Sequence, residues 1–398
     1  VTTGSICFLL ALLMSWALTP AVRDAAARRG WAGRPPSARD VHTRPVPRIG
    51  GLAIVVAALA PLAALFVFEW WFGPILPVDR TRALAIVAGG LAVAALGLYD
   101  DLRGADAVRK LVVQSAVAAA MWMCGIRIDV VSWFGGIDLG ALSLPVTVLW
   151  IVGVVNALNL IDGLDGLASG VALLALVPSL VISIWDQNAF MTQLLASLAG
   201  AIVGFLRYNF NPASVFMGDT GSMFLGFVLA TGSIVACSKS SAALSLTTPV
   251  LALGLPLLDT ALAIVRRSLA GRPFWSADRD HLHHRLLRAG LSHRQSVLVL
   301  YGASLVLAMA ALAAAFANSV QTAVLLVALA VAAGLGIRRL GYGRLRATPL
   351  PPLGAASGAN GARPNGNGAA VVAAAPDRRA APVAAAAEPA ERASLMDQ

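Results

Sequence analysis

Charge is scarce in this chain. Asp, Glu, Lys and Arg make up 13% of its 398 residues, against 58% hydrophobic residues, and the mean hydropathy is +0.77. That balance excludes an ordinary soluble domain and indicates an integral membrane protein, whose helices satisfy their own backbones in the bilayer. Cysteine is scarce too. Cys7, Cys124 and Cys237 lie in or beside apolar runs without paired spacing, which implies neither a disulfide framework nor a cysteine metal motif. The net charge of +10 does not call for a nucleic-acid partner, because the arginines sit in short connectors between apolar runs. Internal repeats are lacking. From position 347 the chain is Ala, Pro, Gly, Asn and Arg with hardly an aromatic, a composition that cannot bury enough apolar surface to order itself. The expected organisation is a transmembrane domain over 1–346 and a disordered cytoplasmic tail over 347–398.

What is there is a series of apolar runs. Eleven are long enough to read as spans: 6–22, 50–68, 83–98, 111–126, 144–160, 167–184, 193–206, 224–237, 246–265, 296–316 and 320–337. The fold class expected is an all-α polytopic membrane protein. Pro249 and Pro256 in the ninth run predict a kink. The first run has no basic residue before it and no small-x-small cleavage site, so it reads as a retained span rather than a signal peptide. Of the 30 Lys and Arg residues, all but Arg80, Arg82, Arg127 and Lys239 fall on odd-numbered connectors or the tail. This split places those connectors and the C-terminus in the cytoplasm and the N-terminus outside. Ile126, Ile128 and Val130, then Ile137 and Leu139, alternate around Gly135-Gly136, which predicts a short external β-hairpin.

The polar exceptions gather on the cytoplasmic connectors. Asn156, Asn159, Asp162 and Asp165 recur every third residue between two apolar runs, with Gly163 and Gly166 among them. On a helix that spacing makes a slowly spiralling stripe of oxygen ligands, and carboxylates at span ends are costly without partners. Asp100-Asp101, followed by Lys110, pairs two acids that can divide metal binding and proton acceptance with a cation suited to phosphate; the blander alternative is helix capping. Asp219 stands between Gly218 and Gly221, beside Thr220 and Ser222, at the entrance to a span. There it either caps the helix or holds a divalent cation bridging to phosphate. Arg266, then Asp278-Arg279-Asp280-His281-Leu282-His283-His284, concentrates histidines among arginines. Without cysteine or a suitably spaced acid pair, these suit phosphate or sugar oxygens better than zinc. His42 to Gly51 is a rigid, proline-rich approach to the second run. Acids for Mg²⁺ and bases for phosphates at a membrane–cytosol boundary imply transfer between a phosphorylated water-soluble donor and a phosphorylated lipid.

Asp100-Asp101, Asn159…Asp162-Gly163-Leu164-Asp165-Gly166, Phe216-Met217-Gly218-Asp219-Thr220-Gly221-Ser222 and His281-Leu282-His283-His284 together resemble the polyprenyl-phosphate N-acetylhexosamine-1-phosphate transferases. The resemblance runs from about His42 to Gly343. It implies many helices, a cytoplasmic site, dependence on Mg²⁺ (or Mn²⁺), and a plasma-membrane location. It also implies conversion of a UDP-sugar and a polyprenyl phosphate into a polyprenyl diphosphate sugar and UMP. The histidine stretch and Leu340-Gly341-Tyr342-Gly343 resemble the branch that uses UDP-N-acetylglucosamine; the peptidoglycan branch, using UDP-N-acetylmuramoyl-pentapeptide, is the alternative. Carried over motif by motif, Asp219 is the leading metal ligand, with Asp100. Asp100, Asp101, Asp162 and Asp165 are the catalytic acids, and Lys110 attracts the lipid phosphate. Asn156, Asn159, Arg266, His281, His283 and His284 bind the donor. The expected partners are the UDP-sugar and the lipid, with room for a homodimer and no nucleic acid. A membrane carrier is the competing class, but carrier sites lie near the midplane, often between inverted repeats. A non-catalytic scaffold with the same fold is the other rival.

Overall fold

The computed structural model describes residues 2–31, 46–72, 79–131, 137–237, 247–271 and 280–339. They form thirteen α-helices: α1 (Thr2–Arg28), α2 (Gly51–Phe72), α3 (Arg80–Arg103), α4 (Ala107–Met123), α5 (Ser143–Ile161), α6 (Leu167–Trp185), α7 (Ala189–Asn209), α8 (Gly218–Cys237), α9 (Thr247–Ala252), α10 (Gly254–Leu269), α11 (Leu282–Arg288), α12 (His293–Phe316) and α13 (Ser319–Arg339). The chain is a polytopic membrane protein. Among the described residues, nine helices are long and apolar enough to cross a bilayer: α1, α2, α3, α5, α6, α7, α8, α12 and α13. The two other expected spans take a different form. The fourth is α4, which at 17 residues is short for a bilayer. The ninth is not a kinked helix but two helices broken at Leu253, between Pro249 and Pro256. Pro256 lacks the N–H that would reach back to Ala252, and its ring crowds that carbonyl.

Short polar side chains start several helices. Asp79, Asp106 and Asn188 accept the N–H of Arg82, Arg109 and Met191 at 3.2, 2.8 and 3.2 Å. Ser292 and Gln295 close a reciprocal capping box on α12. The Ile126–Leu139 connector forms a two-residue antiparallel ribbon, β1 (Val130–Val131) on β2 (Ile137–Asp138). Gly135-Gly136 of the expected turn lie outside the described residues, as do Lys239, Arg272, Asp278, Arg279, His42 to Pro45, Leu340 to Gly343 and the tail.

Burial ranks the helices. The apolar window of α8 is 94% buried and that of α13 only 6%, so α8 is the axis and α13 lies on the lipid-facing rim. Small residues let neighbours close on α8. A Cβ at Gly97 would strike the Asp219–Thr220 backbone, and one at Gly51 would strike Gly221. The ends of α2 and α3 are therefore pressed against the α8 N-terminus, where the polar motifs lie.

Candidate active site at one end of the bundle

Asp100 and Asp101 occupy the last turn of α3, Lys110 the first turn of α4, and Asp219 the first turn of α8. The Lys110 ammonium lies between two carboxylates, 2.8 Å from Asp100 Oδ2 and 2.9 Å from Asp219 Oδ2. Asp100 also accepts the Ala105 N–H. Asp101 points elsewhere. It accepts the N–H groups of Asp219 and Thr220 at 2.8 and 2.9 Å and the Thr220 hydroxyl at 2.6 Å. It therefore caps α8 from another helix, satisfying donors that no intrahelical carbonyl can reach. A Cβ at Gly218, where φ is 69°, would collide with Arg48 O and sit 2.7 Å from the Asp101 carboxylate. The adjacent acids thus split into one facing the lysine and one holding a helix start. The capping alternative holds for Asp101, but toward α8; the following helix, α4, is capped by Asp106.

The expected stripe from Asn156 to Asp165 does not stay on one helix face. The α5 helix ends at Ile161, and Gly166 adopts φ 78°, so Gly163 and Gly166 end the helix rather than merely weaken it. Asn156 donates to Gln114 Oε1 at 2.7 Å, inside the bundle. Asn159 donates to the Ser222 hydroxyl at 2.9 Å. Asp165, 4% exposed, accepts from Asn211 Nδ2 and the Ala213 N–H, both at 3.0 Å, and so braces the loop leading into α8. Two of the four stay toward the centre: Asn159, whose side chain also hydrogen-bonds the Asp219 carboxylate, and Asp162. Burial, with the Asp219 and Asp101 charges nearby, pushes its carboxyl up to about 8, against an opposing pull from Arg48. Its withdrawal from water, more than the neighbouring negative charge, favours the protonated form near neutrality.

The centre fits a hard divalent cation. Among the described residues no three acidic, His or Cys side chains form a metal cage. Mg²⁺ seldom uses one, since it binds through one or two carboxylates and completes its shell with water and substrate phosphates. Asp100 and Asp219, drawn together by the Lys110 ammonium, supply two such carboxylates.

The histidines form a second group against this one. His281 precedes α11; its Nδ1 lies 2.8 Å from Asp259 Oδ2, and the Leu282 N–H donates to Asp259 Oδ1 at 2.9 Å. The His281 and His283 rings stack at 5.8 Å and 3°, and His284 tilts onto His283 at 4.2 Å. A Cβ at Gly163 would run into the His283 imidazole, so the glycine beside Asp162 is what lets the histidine helix seat on the α5–α6 turn. Burial, reinforced by His284, pushes His283 down to about 3 and also lowers His284, so His283 is neutral. Positive charge is supplied instead by Arg266 and Arg288, at 3.8 and 2.6 Å from Asp280, and by Arg285, which also pairs with it. His293 Nε2 accepts the Asp165 N–H at 2.9 Å, and Arg294 holds Asn211 O at 2.9 Å.

Several of these partners carry little sequence signal. Gln114 does not stand out; Arg48 lies in the proline-rich approach to the second run and His293 beside the histidine cluster, and neither position tells what it meets. Asp259 does stand out: an ionisable residue inside an apolar run is a site candidate by itself.

The family model described as Glycosyl transferase family 4 matches residues 83–237, from α3 to the end of α8. The "Probable undecaprenyl-phosphate N-acetylglucosaminyl 1-phosphate transferase" of Bacillus subtilis is 38% identical over 299 residues, covering 74% of this chain and 80% of the relative. The "Decaprenyl-phosphate N-acetylglucosaminephosphotransferase" of Mycobacterium tuberculosis is 36% identical over 354 residues, covering 82% and 86%. A "Phospho-N-acetylmuramoyl-pentapeptide-transferase" of Caldanaerobacter subterraneus is 34% identical over 202 residues, covering 48% and 60%. With relatives matched over most of their length and the family's motifs assembled at one end of the bundle, this chain belongs to glycosyl transferase family 4, among the polyprenyl-phosphate N-acetylhexosamine-1-phosphate transferases.

Proposed function

We propose that the protein transfers N-acetylglucosamine-1-phosphate from UDP-N-acetylglucosamine to a polyprenyl phosphate. The products are polyprenyl diphosphate N-acetylglucosamine and UMP, an initiating step of cell-envelope polysaccharide synthesis. The observation that carries the reading is the Lys110 ammonium held between Asp100 and Asp219 at a helix N-terminus, a centre built for phosphate and a divalent cation. The N-acetylglucosamine branch is supported by identity, 38% over 299 residues and 36% over 354, against 34% over 202 and 31% over 297 for two muramoyl-pentapeptide relatives.

In this reading Asp219 and Asp100 hold Mg²⁺. When bound there, the ion would neutralise charge on the diphosphate. A lipid phosphate oxygen attacks the sugar-bearing β-phosphorus. The new P–O bond forms as the bond to the bridging oxygen breaks, and that oxygen leaves with UMP. The sugar C1–O bond is untouched, so its configuration is retained. Lys110 meets the acceptor phosphate. Asp101 and Asp165 keep the frame: one fixes the start of α8, the other the loop before it. Asn159 and Asp162 line the nucleotide side, and Arg266 and the histidines hold the donor.

The site faces the cytoplasm of the plasma membrane, and the chain crosses eleven times if α4 and the broken α9–α10 are counted. Support comes from the arginines: Arg103, Arg266, Arg288 and Arg294 lie at the site's end of the bundle, while Arg80, Arg82 and Arg127 belong to the opposite connectors. The transferase domain ends near 346.

The test is UMP release by detergent-purified protein with polyprenyl phosphate and either UDP-N-acetylglucosamine or UDP-N-acetylmuramoyl-pentapeptide, with and without Mg²⁺. Turnover with the first donor only, lost on chelation, is expected. Turnover only with the second would move the branch. A metal-dependent phospho-enzyme formed without lipid would replace direct attack by a two-step route.

A further inference from the structure

Asp259 is 1% exposed and lies on α10 among apolar residues. Its two carboxylate oxygens take different partners: Oδ1 the Leu282 N–H, Oδ2 the His281 ring. A carboxylate only accepts, so the His281 proton belongs on Nδ1. Nε2 of the same ring has no hydrogen-bond partner among the described residues. The next histidine in the stack, His283, is 2% exposed, and its Nδ1 also lacks a partner among them. His283, whose Nδ1 is buried without a partner, seats against Gly163 on the turn that carries Asp162, and the parallel His281 ring stacks beside it with no protein partner on Nε2 among the described residues. A buried polar nitrogen without a partner is costly, and a bound hydroxyl or amide would relieve that cost.

We propose that Asp259 is a positioning residue of the transferase: it fixes His281 as the Nδ1–H tautomer, so that Nε2 presents a lone pair to an O–H or N–H group of the nucleotide-sugar donor. The inference rests on the donor-binding reading of the histidine group. It assigns the phosphate charge to the arginines around Asp280 rather than to His281. Asp259→Asn tests it sharply, because an amide cannot serve both partners as the carboxylate does. If its oxygen keeps the Leu282 N–H, its NH2 group faces Nδ1 and drives the proton to Nε2, turning an acceptor into a donor.

The experiment uses the full chain in detergent, labelled with ¹⁵N-histidine, as wild type, Asp259→Asn, His281→Asn and the double variant. The His281 ¹⁵N pattern is expected to read Nδ1–H in wild type and Nε2–H in Asp259→Asn. The value of kcat/KM for UDP-N-acetylglucosamine should fall roughly 100-fold in Asp259→Asn, short of the ~10⁴-fold loss when a triad loses its tautomer-fixing carboxylate. The double variant should be no worse than the poorer single variant, as for residues acting through one another. An Nε2–H His281 in wild type, losses that multiply in the double variant, or an Asp259→Asn activity within twofold of wild type would each overturn the proposal. If Asp259→Asn fails to fold, the wild-type ¹⁵N pattern still decides the tautomer. That spectrum does not depend on turnover, so a wrong donor assignment and a wrong tautomer are told apart.

Discussion

Two neighbouring parts of the site are held in opposite ways. The acid–lysine centre is pinned by backbone. Gly97 and Gly51 bring α3 and α2 into contact with the first turn of α8, and Asp101 clamps that turn through three hydrogen bonds. The histidine group hangs on side chains. Its short helix α11 is tied to α10 by Asp259 and Asp280 and touches the centre where Gly163 leaves room for His283. Chemistry at phosphorus depends on charges placed in advance, and the first construction gives that. Binding a donor that must enter and leave suits the second, where a few side-chain bonds can yield. In both parts the acids nearest the centre are not equivalent: Asp100, Asp162 and Asp219 face it, whereas Asp101, Asp165 and Asp259 hold backbone or a ring.

The contrast can be broken at four points. Asp219→Asn should abolish turnover, by roughly 10³-fold or more since one centre carries metal and phosphate together, while leaving the melting temperature near wild type; UMP release beside a thermal melt checks both. Asp101→Ala should do the reverse in kind. Losing three hydrogen bonds at a buried helix start costs about 2–3 kcal/mol, so a fall of several degrees in Tm is expected, and the surviving folded fraction should keep its Mg²⁺ dependence. A variant that melts like wild type would mean that Asp101 acts in the chemistry instead. The third point is pH. The folded state holds the His283 pKa near 3, below its unfolded value of about 6.5. The unfolded chain therefore binds the extra proton, and stability is lost as pH falls below about 6.5. Between pH 7 and 5 this removes up to about 2 kcal/mol. Thermal melts at both values should show a larger drop for wild type than for His283→Asn, and equal drops would disprove the neutral, buried histidine. The smallest effect is expected from Gly163→Ala. Displacing His283 should raise KM for the donor roughly tenfold, about 1.4 kcal/mol, with little change in KM for the lipid. A change in the lipid KM alone would put the contact on the acceptor side.

Much of this was legible before folding. Long apolar runs must be helices in a bilayer, because no other open structure satisfies its backbone there, and the recurrence of the polar motifs on connectors of one parity pointed to one end of the bundle. The stripe from Asn156 to Asp165 was legible as a cluster but not as geometry. A period of three promises one face only while the helix lasts, and α5 stops at Ile161. The pair Asp100-Asp101 looked symmetrical in sequence, since nothing local says that one carboxylate meets Lys110 and the other a distant helix start. Asp259 carried a signal, an acid in an apolar run, but its partner His281 lies 22 residues on, across a break.

The sequence by itself determined the membrane class, the family and the set of candidate residues, because hydropathy, charge parity and motif identity are local properties of the chain. Only the tertiary structure decided which acid faces the centre, which caps a helix and which orients a histidine. Those roles depend on what lies within about 3 Å of each carboxylate, and that neighbourhood is set by how glycine-faced helices close on α8.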